Sequence, residues 1–463
     1  MASDDDKLIQ PINLDGLSPP DDDGFLIVRL KQAGREARNT GNLALDEILE
    51  EHGLTAKPLI TSIGTGEVER LERGALESEW APLRSLLTYW RVDARSAKES
   101  LKQIEAALRA LPDVDFVYRE KPPSDPVHPA DDPYSSKQEY LDPAPKGIDA
   151  RWVWTQRYGD GAGMRFIDLE QGWLLVHQDL PALSSPIVND NHDGIGGYVG
   201  NHGAAVLGEV AGVDNAVGII GIAPNASVRT VSWWKRTDPG TYYVVNALMA
   251  AIAANPPPHV ILIEVQIGKQ LPVETEIANV DAIRLATAAG IIVVEAAGNG
   301  NRNLDAWTDA TTGKNYLNRA SADFIDSGAI LVGAGTAACP HNRSVWNGGQ
   351  GSNYGSRVDC FGWGNAVVSA GYGDLKGSGN KSYTKSFGGT SAAAPMIAGA
   401  ALLLQGMYFG STGSLVSPGT MRTFLSDPGT GTAQGGGVAG HIGVMPDLRK
   451  IVETTLGLPR LGP

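Results

Sequence analysis

Two cysteines in 463 residues, Cys339 and Cys360, exclude a cysteine-built metal site and a disulfide framework. One disulfide between them and a pair of free thiols both remain open. No apolar run reaches the roughly 20 residues that a membrane helix needs, so no membrane partner is expected. Positive charge is the scarcer sign, with 38 Lys and Arg against 52 Asp and Glu and a net charge of −14. That balance excludes a global basic field of the kind that holds nucleic acid. The start of the chain, MASDDDKLIQ, is polar and acidic and shows no signal peptide. Glycine, by contrast, is abundant at 57 residues, which suits tight turns and close backbone approach.

The length allows two or three domains. Residues 1–23 are acidic and read as a flexible tail. Strands are expected at Phe25–Leu30, Pro58–Ser62, Leu86–Val92 and Asp115–Arg119. Helices are expected at Ala44–His52 and Ser96–Leu111, the second with Ser96 and Glu99 as a capping box. That order over 24–121 is the split βαβ pattern of a small ferredoxin-like α+β domain. Residues 122–146 are rich in proline and read as an exposed linker. From 147 to 463, apolar strands at Met164–Ile167, Ser227–Ser232, Val260–Val265, Ile291–Glu295 and Ala329–Val332 alternate with helices. These helices are Gly203–Ala211, Tyr242–Ala254 and Asn279–Ala288. The alternation implies a mostly parallel, doubly wound α/β sheet. Ligands of such sheets bind at the carboxyl ends of the strands.

Four residues fall at strand ends or helix starts. Asp168 ends the strand Met164–Ile167. His202 opens a helix of small residues in NHGAAVLGEVAG. Asn299 ends IIVVEAAGN, and Ser391 begins the apolar run after Gly388-Gly389-Thr390. A serine in the first turn of a helix sits among free backbone N–H groups at the positive dipole end. With a base, a base-orienting carboxylate and an amide donor, the set meets the needs of acyl transfer. Singly, each residue reads as an ordinary cap or turn residue. The G-x-S-x-G elbow of the hydrolase fold is broken at Thr390 and Ala393.

On these residues the sequence resembles the subtilisin-like serine proteases. GTSAAAP at 389–395 matches the family's nucleophile motif, NHGAAVLGEVAG resembles its histidine motif and FIDLEQGWLLVHQDL its aspartate motif. AAGN at 296–299 is similar to the segment that carries the oxyanion asparagine. The resemblance implies a serine endopeptidase with Asp168, His202 and Ser391 as catalytic triad and Asn299 as oxyanion donor. Its substrate would be a peptide or protein, held along Gln266, Ile267, Gly268, Ala297 and Gly298. It implies secretion or another extracytoplasmic site, and a first domain that is a propeptide-like intramolecular inhibitor. No cofactor is required by it and no metal ligand is assigned, although family members often bind structural calcium. A peptide ligase or a non-cutting peptide binder on the same scaffold are the alternatives. The chain departs from the family at Leu169-Glu170 after the aspartate, at Ala204 after His-Gly, and at Gln266-Ile267-Gly268 in place of Ser-x-Gly.

Two further features stand out. Glu264 and Glu295 lie late in apolar strands that flank the family's specificity pocket. The expectation is a structural pair sharing a proton, with a pocket role selecting Arg or Lys as the alternative. Asn189-x-Asn191-x-Asp193-Gly194 has the first half of a calcium loop but Gly200 where a bidentate Glu belongs, so it reads as an acidic turn.

Overall fold

The computed structural model describes residues 25–31, 42–75, 84–95, 97, 99–120, 127–181, 197–234 and 243–456. The chain divides into two compact units, with the boundary between Asp125 and Pro126.

In the first unit, strand β1 (Phe25–Leu30) leads to helix α1 (Leu43–Glu51), β2 (Thr55–Pro58), α2 (Thr65–Ala75), β3 (Tyr89–Asp93), α3 (Leu101–Arg109) and β4 (Val114–Arg119). The strands pair antiparallel in the order β2-β3-β1-β4, the split βαβ arrangement. Alternation along β1 sends Leu26, Val28 and Leu30 into one core. Leu45 and Leu49 of α1, and Ile104 and Leu108 of α3, meet them at helical i, i+4 spacing. Helix α3 begins later than expected. Its capping box is Ser100 with Gln103, and Ser96 lies outside the described residues. Helix α2 was not expected; of its apolar residues Val68 is buried and Leu71 is exposed.

The second unit runs through α4 (Ala150–Val153), β5 (Arg165–Glu170), α5 (Gly197–Ala211), β6 (Ser227–Ser232), α6 (Val244–Ile252) and β7 (Val260–Ile263). The short pair β8 (Gln266–Ile267) and β9 (Leu271–Pro272) follows, then α7 (Ile277–Ala288), β10 (Ile292–Ala296), β11 (Ile330–Gly335) and β12 (Cys360–Trp363). A hairpin of β13 (Val367–Ala370) and β14 (Tyr383–Phe387) leads into α8 (Thr390–Thr412). The chain closes with α9 (Pro418–Ser426), β15 (Thr432–Ala433), β16 (Val444–Met445) and α10 (Leu448–Thr454). The large sheet has the order β15-β16-β12-β11-β10-β7-β5-β6. Its pairs are parallel except β15 with β16. The chain leaves β5 for β6 on one side and then crosses to β7 on the other. The carboxyl ends of β5 and β7 therefore flank the switch point, where open α/β sheets bind ligands.

Period-two alternation sorts the strand residues between two cores. Phe166, Leu262 and Val294 pack with α5 and α8, while Ile167, Ile261, Ile263 and Val293 pack with α6 and α7. Helix α8 is long and apolar enough to cross a membrane, yet it is the buried helix of this core. The stretch 122–146 is not an exposed linker throughout. From residue 127 it belongs to the second unit, and Ser135, Gln138, Tyr140 and Leu141 are buried. Gln138 Nε2 donates to the Ile220 carbonyl at 2.8 Å and its Oε1 accepts from the Ile220 N–H at 2.9 Å. The prolines space turns while the apolar residues between them set the burial. Neither cysteine forms a disulfide, and Cys360 is buried within β12. The Asn189–Gly194 turn lies outside the described residues.

Candidate active site

Asp168 and Glu170 are two residues apart on β5, so they share the face toward α5 and α8. Of the two, Glu170 meets His202. Its Oε2 accepts the hydrogen bond from His202 Nδ1 at 2.5 Å, and its Oε1 accepts from the Gln171 N–H at 2.7 Å. The expectation set Asp168 against His202; in this structure the carboxylate that His202 Nδ1 contacts is Glu170. Asp168 is fully buried one pleat deeper, where its Oδ2 accepts from Trp173 Nε1 at 2.7 Å and its Oδ1 has no partner. Burial, and then the nearby Glu170 charge, push the Asp168 carboxyl well above its usual range. The signal for Glu170 was present in the D-x-E spacing, but a motif match settles on the aspartate. Burial alone would lower the His202 pKa, but the charge and hydrogen bond of Glu170 lift it above its ordinary 6.5. The His202 ring stands edge-on to Phe387, with centroids 5.5 Å apart. Gly203 is required beside it, because a Cβ there would lie 2.6 Å from Trp173 Cδ1.

Ser391 is the second residue of α8, whose first-turn N–H groups lack intrahelical partners. The helix start is anchored to the end of β10. Asn299 Oδ1 accepts from the Thr390 N–H at 2.9 Å, and Thr390 Oγ1 accepts from the Gly298 N–H at 3.1 Å. The amide oxygen of Asn299 is thereby used, which leaves Nδ2 to donate. Gly389 precedes the helix at φ 88°, a left-handed conformation that favours glycine. Further in, Pro395 lacks the N–H that would bond the Ser391 carbonyl. Glu170, His202, Asn299 and Ser391 line one cleft of about 960 Å³.

Of the five residues expected to hold substrate, Gln266 lines this cleft, where its Oε1 accepts from the Asn299 N–H at 3.1 Å. Ala297 and Gly298 lie between the lining residues Ala296 and Asn299 but do not themselves line the cleft, and Ile267 ends β8 with Gly268 in the turn to β9. Glu264 and Val265 take that wall instead, with Trp233, Trp346 and Tyr372. Glu264 and Glu295 are not a pair. Glu295 stands opposite Ile263 in the register of β10 with β7, on the α6/α7 face. There its Oε1 accepts from the Val273 N–H at 2.7 Å, near the buried Arg357–Glu274 ion pair. Glu264 follows Ile263 and faces the other way, beside Glu170.

A second acidic group lies elsewhere in this unit. Carboxylate oxygens of Asp131, Asp132 and Asp214 all fall within 4.8 Å of one another. Asp132 and Asp179 are buried, and each keeps one oxygen without a partner, Oδ2 and Oδ1 respectively. Burial, then repulsion from Asp214, pushes Asp132 up to about 7; burial, with Asp132 adding, does the same to Asp179. Asp179 Oδ2 and Asp132 Oδ1 accept from the Ile219 and Val217 N–H groups at 2.7 and 3.0 Å, which ties both to one loop. Hard oxygen donors with unanswered charge fit a calcium ion.

Comparison with known proteins agrees with this architecture. Residues 181–441, more than half of the chain, match the family described as the subtilase family. A stretch of 146 residues is 33% identical to an alkaline extracellular protease of Yarrowia lipolytica, covering 32% of this chain and 27% of that protein. Over 265 residues the chain is 28% identical to subtilisin DY of Bacillus licheniformis, covering 56% of this chain and 83% of the relative. Among solved structures, a protease from Pseudoalteromonas arctica superposes with a TM-score of 0.51 at 21% identity, over 70% of this chain and 99% of that one, a likeness of fold. The chain belongs to the subtilase family, and it spans between 27% and 83% of the length of the Yarrowia and Bacillus relatives. The family match begins after β5, so it leaves the identity of the acid to the geometry.

Proposed function

We propose that the chain hydrolyses peptide bonds through an acyl-enzyme on Ser391, with His202 as base and Glu170 as the carboxylate that orients it. The observation that carries this reading is the Glu170–His202 hydrogen bond in the cleft that Ser391 lines. With Nδ1–H held by Glu170, Nε2 is the ring nitrogen left to accept a proton. Ser391 Oγ attacks the scissile carbonyl carbon and its proton passes to His202 Nε2. The tetrahedral oxyanion is held by Asn299 Nδ2 and the Ser391 N–H. His202 then protonates the leaving amine, and water repeats the sequence to release the acid. Incubation with a fluorophosphonate should add one probe mass, on Ser391, and a peptide library should give products with water added across cut bonds. Labelling elsewhere, or joined peptides in place of cut ones, would replace this reading.

The first unit supports an inhibitory role as a propeptide-like domain, since it is a complete fold that ends in edge strand β4 just before the boundary. Intact mass followed over time should show loss of this unit in the wild-type chain and not in Ser391→Ala. A wild-type chain that is fully active while uncut would overturn it. Secretion accords with the relative from Yarrowia lipolytica, which is named as extracellular.

Calcium is the ion we assign to Asp131, Asp132 and Asp214, with Asp179 beside them and tied to the same loop. Asp132 and Asp179 have ordinary values of 3.8 and folded values of about 7, so the folded state keeps protons that the unfolded chain gives up. Without calcium, their contribution to stability is full below about pH 4 and is lost as pH rises through about 7. Calcium competes with those protons. The rise in Tm on adding calcium should be small near pH ~5 and large near pH ~8. A rise of equal size at both would remove the assignment.

A further inference from the structure

The candidate triad does not use Glu264, although this carboxyl faces the nucleophile. It occupies the position beside Glu170 at the switch point, and its backbone N–H donates to the Leu169 carbonyl at 3.0 Å. Its side chain is buried, lines the cleft and interacts with the Ser391 hydroxyl without closing into a well-formed hydrogen bond. Both of its oxygens lack a hydrogen-bond partner. The groups around it are acids almost without exception. Asp168 and Glu170 approach from β5, Glu209 from α5, and His202 sits on α5 paired to Glu170. Strand β10 turns its carboxylate, Glu295, to the opposite face. No Lys or Arg is among the residues lining the cleft.

Resting on the reading of Ser391 as nucleophile, we propose that Glu264 works as a neutral carboxylic acid whose O–H donates to Ser391 Oγ, and that its ionisation shuts the site down. Glu170 has two donors aimed at its two oxygens. Glu264 has none, and a second charge beside Glu170 in a buried site is costly. Burial first, then the charges of Glu170 and Asp168, push its pKa well above the carboxylate range. A hydroxyl has one proton to give and two lone pairs to offer. With Glu264 neutral, Ser391 Oγ accepts from it and keeps its own proton for His202. Negative charge that grows on Oγ as the proton leaves then meets a donor. Once ionised, Glu264 instead accepts from the Ser391 hydroxyl, draws its proton away from His202, and sets a negative charge beside the oxyanion. No proton leaves Glu264 during turnover, so the step balances through Ser391 and His202 alone.

The test is the pH dependence of fluorophosphonate labelling of Ser391 in the wild type, Glu264→Gln and Glu264→Ala. Gln remains a neutral donor that cannot ionise. The wild-type rate should fall about tenfold per pH unit on the basic side, as for one ionisation. Glu264→Gln should hold its plateau there, and Glu264→Ala should lose about 10²-fold throughout, the scale of one lost donor. A wild-type profile with no basic limb overturns the proposal even if neither variant folds. A limb that survives in Glu264→Gln, or Gln as inactive as Ala at every pH, also overturns it while leaving Ser391 as nucleophile. No labelling of the wild type at any pH would instead remove the nucleophile and this inference together.

Discussion

Ser391→Ala and His202→Ala should each lower kcat by about 10⁶-fold, the scale known for a subtilisin triad, and the double variant should lose no more. The reason is that the two side chains perform one event. Without Nε2 to take the proton, Ser391 stays a neutral hydroxyl; without Oγ, the imidazole has nothing to deprotonate. The residual rate would come from Asn299, the backbone N–H groups at the α8 N-terminus and the other residues of the cleft, which both substitutions leave in place. The acid side of the wild-type profile belongs to His202. Glu170 lifts its pKa above 6.5, so activity should already be falling as pH drops through values above 6.5. Single-turnover rates with a chromogenic ester check both claims. Losses that multiply in the double variant would show that the two residues do not act as a unit.

The architecture was legible because the strands of the large sheet are short continuous apolar runs that alternate with helices. The first unit was readable from β1, α1 and α3, while α2, with Leu71 exposed and charged residues between its few apolar ones, was missed. The proline-rich stretch misled because composition reports turns and not burial; Tyr140 and Gln138 anchor it to the sheet domain. Within the site, Asn299 and Ser391 were readable as residues past a strand end and at a helix start, whereas His202 lies in the second turn of α5, which begins six residues earlier than expected. The acid was not readable, because Asp168 and Glu170 lie on one face of one strand. Only the longer reach of glutamate and its place one pleat nearer the carboxyl end bring it to the imidazole. The same alternation separates Glu264 from Glu295, whose near-identical sequence settings end on opposite faces of the sheet. Strand register, which a single sequence does not reveal, decided both cases.

Glu170→Gln should lower kcat by about 10⁴-fold, as when the carboxylate of such a triad becomes an amide, whereas Asp168→Asn should stay within about tenfold, or 1.4 kcal/mol. Both oxygens of Glu170 accept, one from the Gln171 N–H and one from His202 Nδ1. A glutamine has a single oxygen for these two donors. If that oxygen keeps Gln171, the amide nitrogen faces the ring and forces the tautomer with hydrogen on Nε2, which cannot accept the serine proton. If it keeps His202, the Gln171 N–H loses its acceptor and the negative charge that stabilises the imidazolium is gone in either case. Asp168 makes one contact that an asparagine can reproduce, since an amide oxygen still accepts from Trp173 Nε1. Its other oxygen is buried without a partner and its carboxyl is held above the usual range, so a neutral side chain suits the site. The pH profile separates the roles further. Asp168→Asn should leave the acid limb in place, and Glu170→Gln should move it to lower pH as His202 loses the charge that raises its pKa. The reverse pattern, with Asp168→Asn losing about 10⁴-fold and Glu170→Gln nearly unaffected, would return the orienting role to Asp168.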